Sequence, residues 1–172
     1  MNKELIQNLI NQVETQGKES DKLIEDLINS NQSVIQLDNT VKKIQTKLLE
    51  FDGDLPIDEL IGYISELCPI VYFVLANLEK LGSRADIIEQ MKVDKYNKAI
   101  MSSPGTATDK KAMAESSINE EALVSSIYSR AYKAVKTRTD TAQATIDALK
   151  KALSAKMSEM QVMRSQNNVM SS

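Results

Sequence analysis

The sequence predicts an all-α protein, built as an elongated helical bundle or coiled coil with long heptad helices. Three observations lead to this fold class. Only 5 Gly and 3 Pro occur in 172 residues, too few for a sheet protein with frequent tight turns. Aromatic residues make up 4%, and Leu, Ile, Lys, Glu, Gln and Ala recur, a composition typical of long helices. Apolar residues follow spacings of three and four over two long stretches of the chain.

The N-terminal region, residues 1–55, is predicted to be an acidic helical arm. A short amphipathic helix over residues 2–16 ends near Gly17, and Ser20 and Asp21 provide an N-cap for a second helix. The second helix carries a heptad seam, a row of positions that packs against a matching helix. Its positions are Leu23, Leu27, Ser30, Val34, Leu37, Val41, Ile44 and Leu48.

Residues 56–165 are predicted to form a helical core. The third helix, about 56–101, begins with Pro56, which suits a first helical turn. It is apolar nearly all round near Tyr72 and Phe73, so it is expected to be the most buried element. Cys68 lies in this stretch and is expected to be a small buried hydrophobe. Pro69 is expected to kink the helix, and Gly82 is a candidate break.

The C-terminal part of the core follows the linker at residues 102–105. A short helix is expected from Thr106 or Thr108 to Ala114, and Ser117 and Glu120 have the capping-box spacing for the last helix. That helix carries a second seam, at Tyr128, Tyr132, Val135, Thr139, Ala142, Ile146, Leu149, Leu153, Lys156, Met160 and Met163. Residues 166–172 are polar and are predicted to be a disordered tail.

Two such seams must be covered, because soluble monomers avoid long exposed apolar stripes. Either the seams pair within one chain as a helical hairpin, or they pair between chains. We favour a homo-oligomer, with self-association through seam positions of both long helices. These positions are Leu27, Val34, Val41, Leu48, Val135, Ile146, Leu149 and Leu153.

The composition argues against an enzyme. The chain has no His and one Cys, so the usual acid–base residue, a disulfide within the chain and a Cys-based zinc site are all excluded. Four acids, Asp52, Asp54, Asp58 and Glu59, could hold Mg²⁺, but acids near a helix start also meet the helix dipole favourably. We favour the second explanation, and we expect no catalytic residue, no bound metal and no cofactor.

The cellular location is predicted to be cytoplasmic, in the bacterial host if the chain is phage-encoded. The N-terminus lacks the charged and apolar segments of a targeting signal. The most apolar window, from Leu67 to Leu78, is shorter than the roughly 20 residues that cross a bilayer. No membrane partner is therefore expected.

Charge is distributed unevenly along the chain. Residues 1–90 contain 8 Lys and Arg against 16 Asp and Glu, a net of −8, whereas residues 91–172 contain 13 against 8, a net of +5. The two halves are therefore expected to have different partners, or to attract one another between helices or subunits. Basic residues of the last helix, with neighbouring aromatics, are candidates for binding phosphates and stacking on unpaired bases. They are Arg130, Lys133, Lys136 and Arg138, with Tyr128 and Tyr132.

In two regions the same residues have more than one explanation. The basic residues of the last helix are explained more simply as a solvated helix face, because charge on an exposed face is ordinary. The start of the short helix, near Gly105, Lys110 and Lys111, could receive a phosphate on its free N–H groups. Thr106 or Thr108 capping that helix explains the same residues.

The second half of the chain resembles bacteriophage recombination mediators of the UvsY type over about residues 90–165. The resemblance rests on the segment Asp94–Lys98, a Gly-containing linker, the short helix Thr108–Glu115, and a last helix with Tyr128, Tyr132, Ile146–Lys150 and Met157–Met160. The acidic N-terminal half has no counterpart in that family, and an expected Arg-Gly pair is replaced here by Lys150, Lys151, Ala152 and Leu153.

The resemblance implies a helical oligomer that binds single-stranded DNA and helps to load a recombinase. A single-strand-binding protein and that recombinase would be its protein partners. The basic residues of the last two helices would then be the DNA contacts, and they are Lys110, Lys111, Arg130, Lys133, Lys136 and Arg138. The alternative is a structural or scaffolding coiled-coil protein, such as a virion component or an adaptor, that binds no nucleic acid.

Overall fold

The computed structural model describes the backbone of residues 3–170 and the side chains of residues 6–8 and 10–166. Within this part of the chain 92% of residues are helical and no strand occurs, which confirms the all-α helical bundle. Five helices follow one another in the described residues, and they are α1 Lys3–Asn29, α2 Gln32–Glu50, α3 Ile57–Ser102, α4 Ala107–Ser117 and α5 Asn119–Met170.

The first helix break lies at Ser30 and Asn31, and the predicted break at Gly17 is wrong. α1 runs through Gly17, which costs about 1 kcal/mol relative to Ala but does not prevent a helix. At the actual break, the Ser30 hydroxyl donates to the Leu27 carbonyl (2.7 Å), and the Asn77 amide donates to the Asn31 side chain (3.2 Å). Polar side chains that bond locally compete with the helical pattern and end it.

The turn between α2 and α3 shows why a glycine stands at position 53. Asp52 and Gly53 have positive φ angles of 48° and 81°, a conformation that glycine adopts without steric cost. The Gly53 N–H donates to the Leu48 carbonyl (2.7 Å), which closes the end of α2 in the manner of a Schellman motif. The Pro56 carbonyl accepts the first bond of α3 from Leu60 (3.0 Å).

The boundaries of the later helices agree in part with expectation. α3 continues through Gly82 without a break. The capping box predicted at Ser117 is wrong, because the Ser117 hydroxyl donates back to the Ala114 carbonyl (2.8 Å) and α5 begins at Asn119. α5 continues to Met170, into the segment predicted to be a disordered tail, and residues 171–172 lie outside the described part.

The helices form two compact units, which do not coincide with the predicted division after residue 55. Unit 1 contains residues 1–31 and 77–135, and unit 2 contains residues 32–76 and 136–172. In unit 1, α3 and α5 are antiparallel, because Lys95 binds Glu121 (2.8 Å) and, earlier on α3, Glu89 accepts from the Ser125 hydroxyl (2.9 Å). Ile24 and Ile28 of α1 belong to its buried core.

Unit 2 packs α2, the first part of α3 and the second part of α5 together. Glu66 of α3 accepts from Thr40 (3.4 Å) and Lys43 (3.1 Å) of α2, and Lys156 of α5 forms an ion pair with Asp54. The core of this unit consists of apolar side chains from all three helices and the turn between the first two. Its fully buried members are Val34, Leu37, Ile44, Leu55, Leu60, Leu67, Val74, Ile146 and Leu149.

The two predicted seams are largely covered within the single chain. Val34, Val135, Ile146 and Leu149 are buried, so no second chain is needed to cover them. The other positions assigned to self-association are half-buried, and they are Leu27, Val41, Leu48 and Leu153. The seam on α5 opens towards its C-terminus, where Met160 is 45% and Met163 is 62% exposed.

The expectation for the middle of α3 is wrong in one respect. Cys68 is exposed and not buried, and Tyr72 and Phe73 are 70% and 58% exposed. The helix buries one face only, through Leu67, Ile70, Val71 and Val74. Among the described residues, α3 alone is long and apolar enough to cross a membrane by length and composition, and 33% of its most apolar window is buried.

Candidate nucleic-acid interface

In unit 1, α5 separates an inner apolar face from an outer basic face. Ile127, Ala131 and Val135 are buried at intervals of four residues, which places them on one side of the helix. Arg130 and Lys133 are exposed because they fall on the other side. The helical period therefore places both cations on the exposed side of α5, while the buried residues of the same helical turns pack in the core.

No acidic residue occurs on α5 between Glu121 and Asp140, whereas four cations do. Glu121 itself is engaged by Lys95, whose ammonium group donates to both carboxylate oxygens (2.8 and 2.9 Å). The hydrogen bond from Lys95 lowers the pKa of Glu121. Glu121 is therefore already paired, and Glu89 of α3 contacts the same stretch of α5 through Ser125 (2.9 Å), so the uninterrupted run of cations is a feature of α5 itself.

The two tyrosines assigned to base stacking are half-buried in unit 1. A Cβ atom added to Gly82 would stand 3.3 Å from the Tyr132 Cε2 atom, so the Tyr132 ring lies directly on the α3 backbone. A larger residue at position 82 would require this ring to shift by a few tenths of an ångström. Tyr132 therefore holds α3 and α5 together, and that side of its ring is not free for a base.

The two remaining cations of the α5 group belong to unit 2. Lys136 is exposed, and the Arg138 guanidinium donates to the Asp38 carboxylate of α2 (2.7 Å). Both partners of this ion pair are partly exposed, at 37% and 43% of their side chains. A phosphate at Arg138 would have to compete with Asp38. The main role of Arg138 is therefore to connect α5 to α2 through this ion pair.

The start of α4 is closed by its own side chains. Thr106 is the N-cap, and its hydroxyl accepts from the Asp109 N–H (3.3 Å) while the Asp109 carboxylate accepts from the Thr106 N–H (3.0 Å), a complete capping box. The hydrogen bond from the Thr106 hydroxyl lowers the pKa of Asp109. An anionic carboxylate already occupies the position that a phosphate would take, so the geometry favours capping. Lys110 is half-buried and Lys111 is exposed.

The acidic cluster near the start of α3 does not come together as a metal site. No group of three or more His, Cys, Asp or Glu among the described residues is placed to hold a metal ion. Asp54 forms an ion pair with Lys156. Asp58 and Glu59 lie in the first turn of α3, where carboxylates meet the helix dipole favourably.

The structure brings one further cation to the level of Arg130. Gly82 meets Tyr132 across the antiparallel helix pair, so Arg84, two residues after Gly82, lies at the height of Arg130, two residues before Tyr132. Both side chains are exposed. The sequence alone gave no signal for this, because the two residues are 46 positions apart and the helix register was unknown.

Known proteins offer no counterpart against which this arrangement can be compared: no protein family, no curated protein and no solved structure matches the chain.

Proposed function

We propose that this chain is a non-enzymatic protein that binds single-stranded DNA on the outward basic face of α5. The observation that carries the proposal is the run of four cations without an acid between Glu121 and Asp140, two of which, Arg130 and Lys133, face outward on a helix anchored by its other side. Phosphates release condensed counterions when such cations approach, and that release drives binding without regard to base sequence.

The role we propose for this binding is that of a phage recombination or replication mediator, as the resemblance over residues 90–165 implies. The protein would hold a strand while helping to load a recombinase in the bacterial cytoplasm. Its acidic N-terminal half has a net charge of −8 over residues 1–90. This half would contact the single-strand-binding protein or the recombinase rather than DNA, because its carboxylates and the DNA phosphates are both negative and repel each other.

The contacts within the basic face are unequal. Arg130 and Lys133 are exposed on unit 1, and Lys111 of α4 is also exposed. Arg138 is held by Asp38 and would contribute less. The half-buried tyrosines leave phosphate contacts as the main source of affinity. Several weak contacts of this kind bind strongly only when many act together, so self-association would raise the affinity.

A second candidate function is that of a structural or scaffolding protein, and one observation favours it. The α3 surface around Tyr72 and Phe73 is exposed and apolar, which is typical of protein contacts. In that case the basic face of α5 is only a solvated surface.

A pair of matched charge reversals distinguishes the two functions. Arg130→Glu with Lys133→Glu changes two outward cations of α5, and Lys18→Glu with Lys22→Glu makes the same change in net charge on α1, where both lysines are exposed. We expect the first variant to lose at least about tenfold in affinity for a fluorescent single-stranded oligonucleotide, and its salt slope to fall by about 1.4 for two lost phosphate contacts. The second variant should retain most of the affinity.

The measurement is fluorescence anisotropy at several salt concentrations, with circular dichroism to show that both variants are folded. Equal loss of affinity in the two variants would indicate a net-charge effect without a binding face. Unchanged affinity in the α5 variant would contradict the proposed site.

A further inference from the structure

The first half of α3 has an exposed apolar face in addition to its buried one. We call it the α3 face and define it by Ile61, Cys68, Tyr72, Phe73 and Leu75. Ile61 and Leu75 are 47% and 46% exposed, and Tyr72 and Phe73 are 70% and 58% exposed. The two rings meet edge to face, with centroids 5.7 Å apart. All five residues belong to unit 2.

The spacing of the α3 face is that of a helix contact. Ile61, Cys68 and Leu75 are seven residues apart, and Tyr72 lies four residues after Cys68, as at the apolar positions of a heptad. Phe73 lies beside this row, about 100° round the helix from Tyr72. No charged residue occurs between Glu66 and Glu79. An exposed helix face that interacts only with water normally carries Lys and Glu, so the absence of charge here indicates a contact surface.

The α3 face continues into a groove at the start of the helix. This groove has a volume of about 280 Å³, and it is lined by the apolar residues Ile57, Ile61, Met157 and Met160 together with Gln161 and Arg164. The two methionines are 52% and 45% exposed. Methionine side chains adapt to the shape of a partner, so the groove extends the contact surface beyond a single helix.

The area of this surface matches what a small dimer needs. An aromatic side chain presents roughly 200 Å², so Tyr72 and Phe73 at 70% and 58% exposure leave roughly 250 Å² uncovered. With the aliphatic members of the face and the groove, the surface reaches roughly 500 Å². Two copies would bury roughly 1,000 Å², the lower limit for a specific interface.

We propose that the α3 faces of two copies of this chain pack against each other in an antiparallel, two-fold symmetric dimer. A two-fold interface brings the same patch of both copies together, so the patch must be compatible with itself. Between Glu66 and Glu79 the patch has no charge, and Glu66 is paired with Lys43 (3.1 Å), so the central part of the patch brings no like charges into direct contact. The dimer surface is centred on α3 and includes the α5 seam only at its exposed C-terminal end, through Met160.

Charge at the start of α3 determines the relative direction of the two helices. Asp58 and Glu59 both lie in its first turn. Parallel packing would place these carboxylates of one copy beside those of the other and would also align the two helix dipoles. Antiparallel packing separates the four carboxylates at opposite ends of the interface, which removes the repulsion.

The test is the mass of the full chain in solution with and without a charge on the α3 face. Tyr72→Glu places a carboxylate on an exposed position, so the monomer should remain folded. Met101→Glu is the matched control, since Met101 lies on the same helix, is 83% exposed and is outside the α3 face. We expect sedimentation equilibrium to give twice 19.1 kDa, or 38.2 kDa, for the wild type and the control, and 19.1 kDa for Tyr72→Glu.

A second measurement uses Cys68, the only cysteine in the chain, which lies within the proposed contact. A short bis-maleimide should link two copies of the wild type through Cys68, and the linked dimer should be at least tenfold less abundant for Tyr72→Glu. A wild type that is monomeric at all micromolar concentrations would overturn the proposal. An assembly that is unaffected by Tyr72→Glu would place the contact elsewhere and would overturn it as well.

A lipid surface is the alternative occupant of the α3 face, and it gives a different result. Flotation with phosphatidylcholine–phosphatidylglycerol vesicles would then recover the wild type but not Tyr72→Glu, and both proteins would be monomeric without vesicles. That result would also overturn the dimer. The outcome does not depend on DNA binding, because the α5 cations are unchanged in every variant used.

Discussion

The two long helices, α3 and α5, each bury one face but expose different chemistry on the other. Over residues 67–76, α3 exposes aliphatic and aromatic side chains and no charge. Over the residues between Glu121 and Asp140, α5 exposes cations and no acid. A helix with an uncharged outer face fits another apolar surface, whereas a helix with a cationic outer face fits a polyanion. The difference is the basis for proposing two separate contact surfaces.

The comparison also shows what periodicity can and cannot predict. The heptad spacing on α5 correctly identifies Ile146 and Leu149 as inward positions, but it does not say which helix covers them. The continuous apolar stretch on α3 predicts burial all round, and Tyr72 and Phe73 are exposed instead. A helix has only as many buried faces as it has neighbours, and the number of neighbours is not visible in one sequence.

The largest expected effect tests whether the α5 seam is an internal contact of the chain. Leu149 is 1% exposed, and Leu149→Ala should lower the free energy of unfolding by about 3 kcal/mol through lost burial and a residual cavity. Tyr72→Ala, on the exposed face of α3, should change the stability of the monomer by no more than about 0.5 kcal/mol. Urea denaturation at low protein concentration measures both values. Similar losses for the two variants would contradict the assignment of inner and outer faces.

A smaller effect concerns the reactivity of Cys68. Because the thiol is exposed, it should react with a maleimide in the dilute native protein nearly as fast as in the protein unfolded by guanidinium. Dimerisation through the α3 face should slow the reaction as the protein concentration rises. Strong protection at every concentration, down to the lowest measured, would show that the thiol is buried in the monomer. α3 would then lack the exposed apolar face that distinguishes it from α5.

The smallest effect concerns the ion pair that holds α3 against α5 in unit 1. The pKa of Glu121 is lowered by Lys95 from its ordinary value of 4.5, so the pair stabilises the fold above about pH 4.5, and this contribution is lost as the pH falls through the lower pKa of the folded state. Glu121→Gln should therefore lower the melting temperature slightly at pH 7 and leave it nearly unchanged at pH 3. Melting curves at the two pH values, with Glu120→Gln as the control on the same turn, measure this difference.

Much of the fold could be predicted from the sequence, and the misses have physical reasons. The scarcity of Gly and Pro and the two seams correctly predict an all-α chain, and Thr106 correctly marks the start of α4. Gly17 was expected to break a helix because glycine has a low helix propensity, but the cost of one glycine is small. The real break depends on Asn31, whose side chain accepts from Asn77, a residue distant in sequence.

The candidate site could be predicted only in outline. Outward Arg130 and Lys133 follow from the helix period, which the sequence shows. The pairing of Arg138 with Asp38 and the packing of Tyr132 on Gly82 depend on helix register, which the sequence does not show. These contacts reduce the expected role of Arg138 and Tyr132 in binding and leave the exposed cations as the main candidates.

The central claim is that the outward cations of α5 bind the phosphates of single-stranded DNA. The most direct test is the anisotropy of a fluorescent single-stranded oligonucleotide titrated with the wild-type protein at a series of salt concentrations, with a duplex of the same sequence for comparison. We predict binding at low salt, with the logarithm of the affinity falling by about 0.7 for each phosphate contact per unit of the logarithm of salt concentration, and weaker binding to the duplex. Absence of binding at low salt, by protein shown to be folded, would contradict the claim and would favour the scaffolding function.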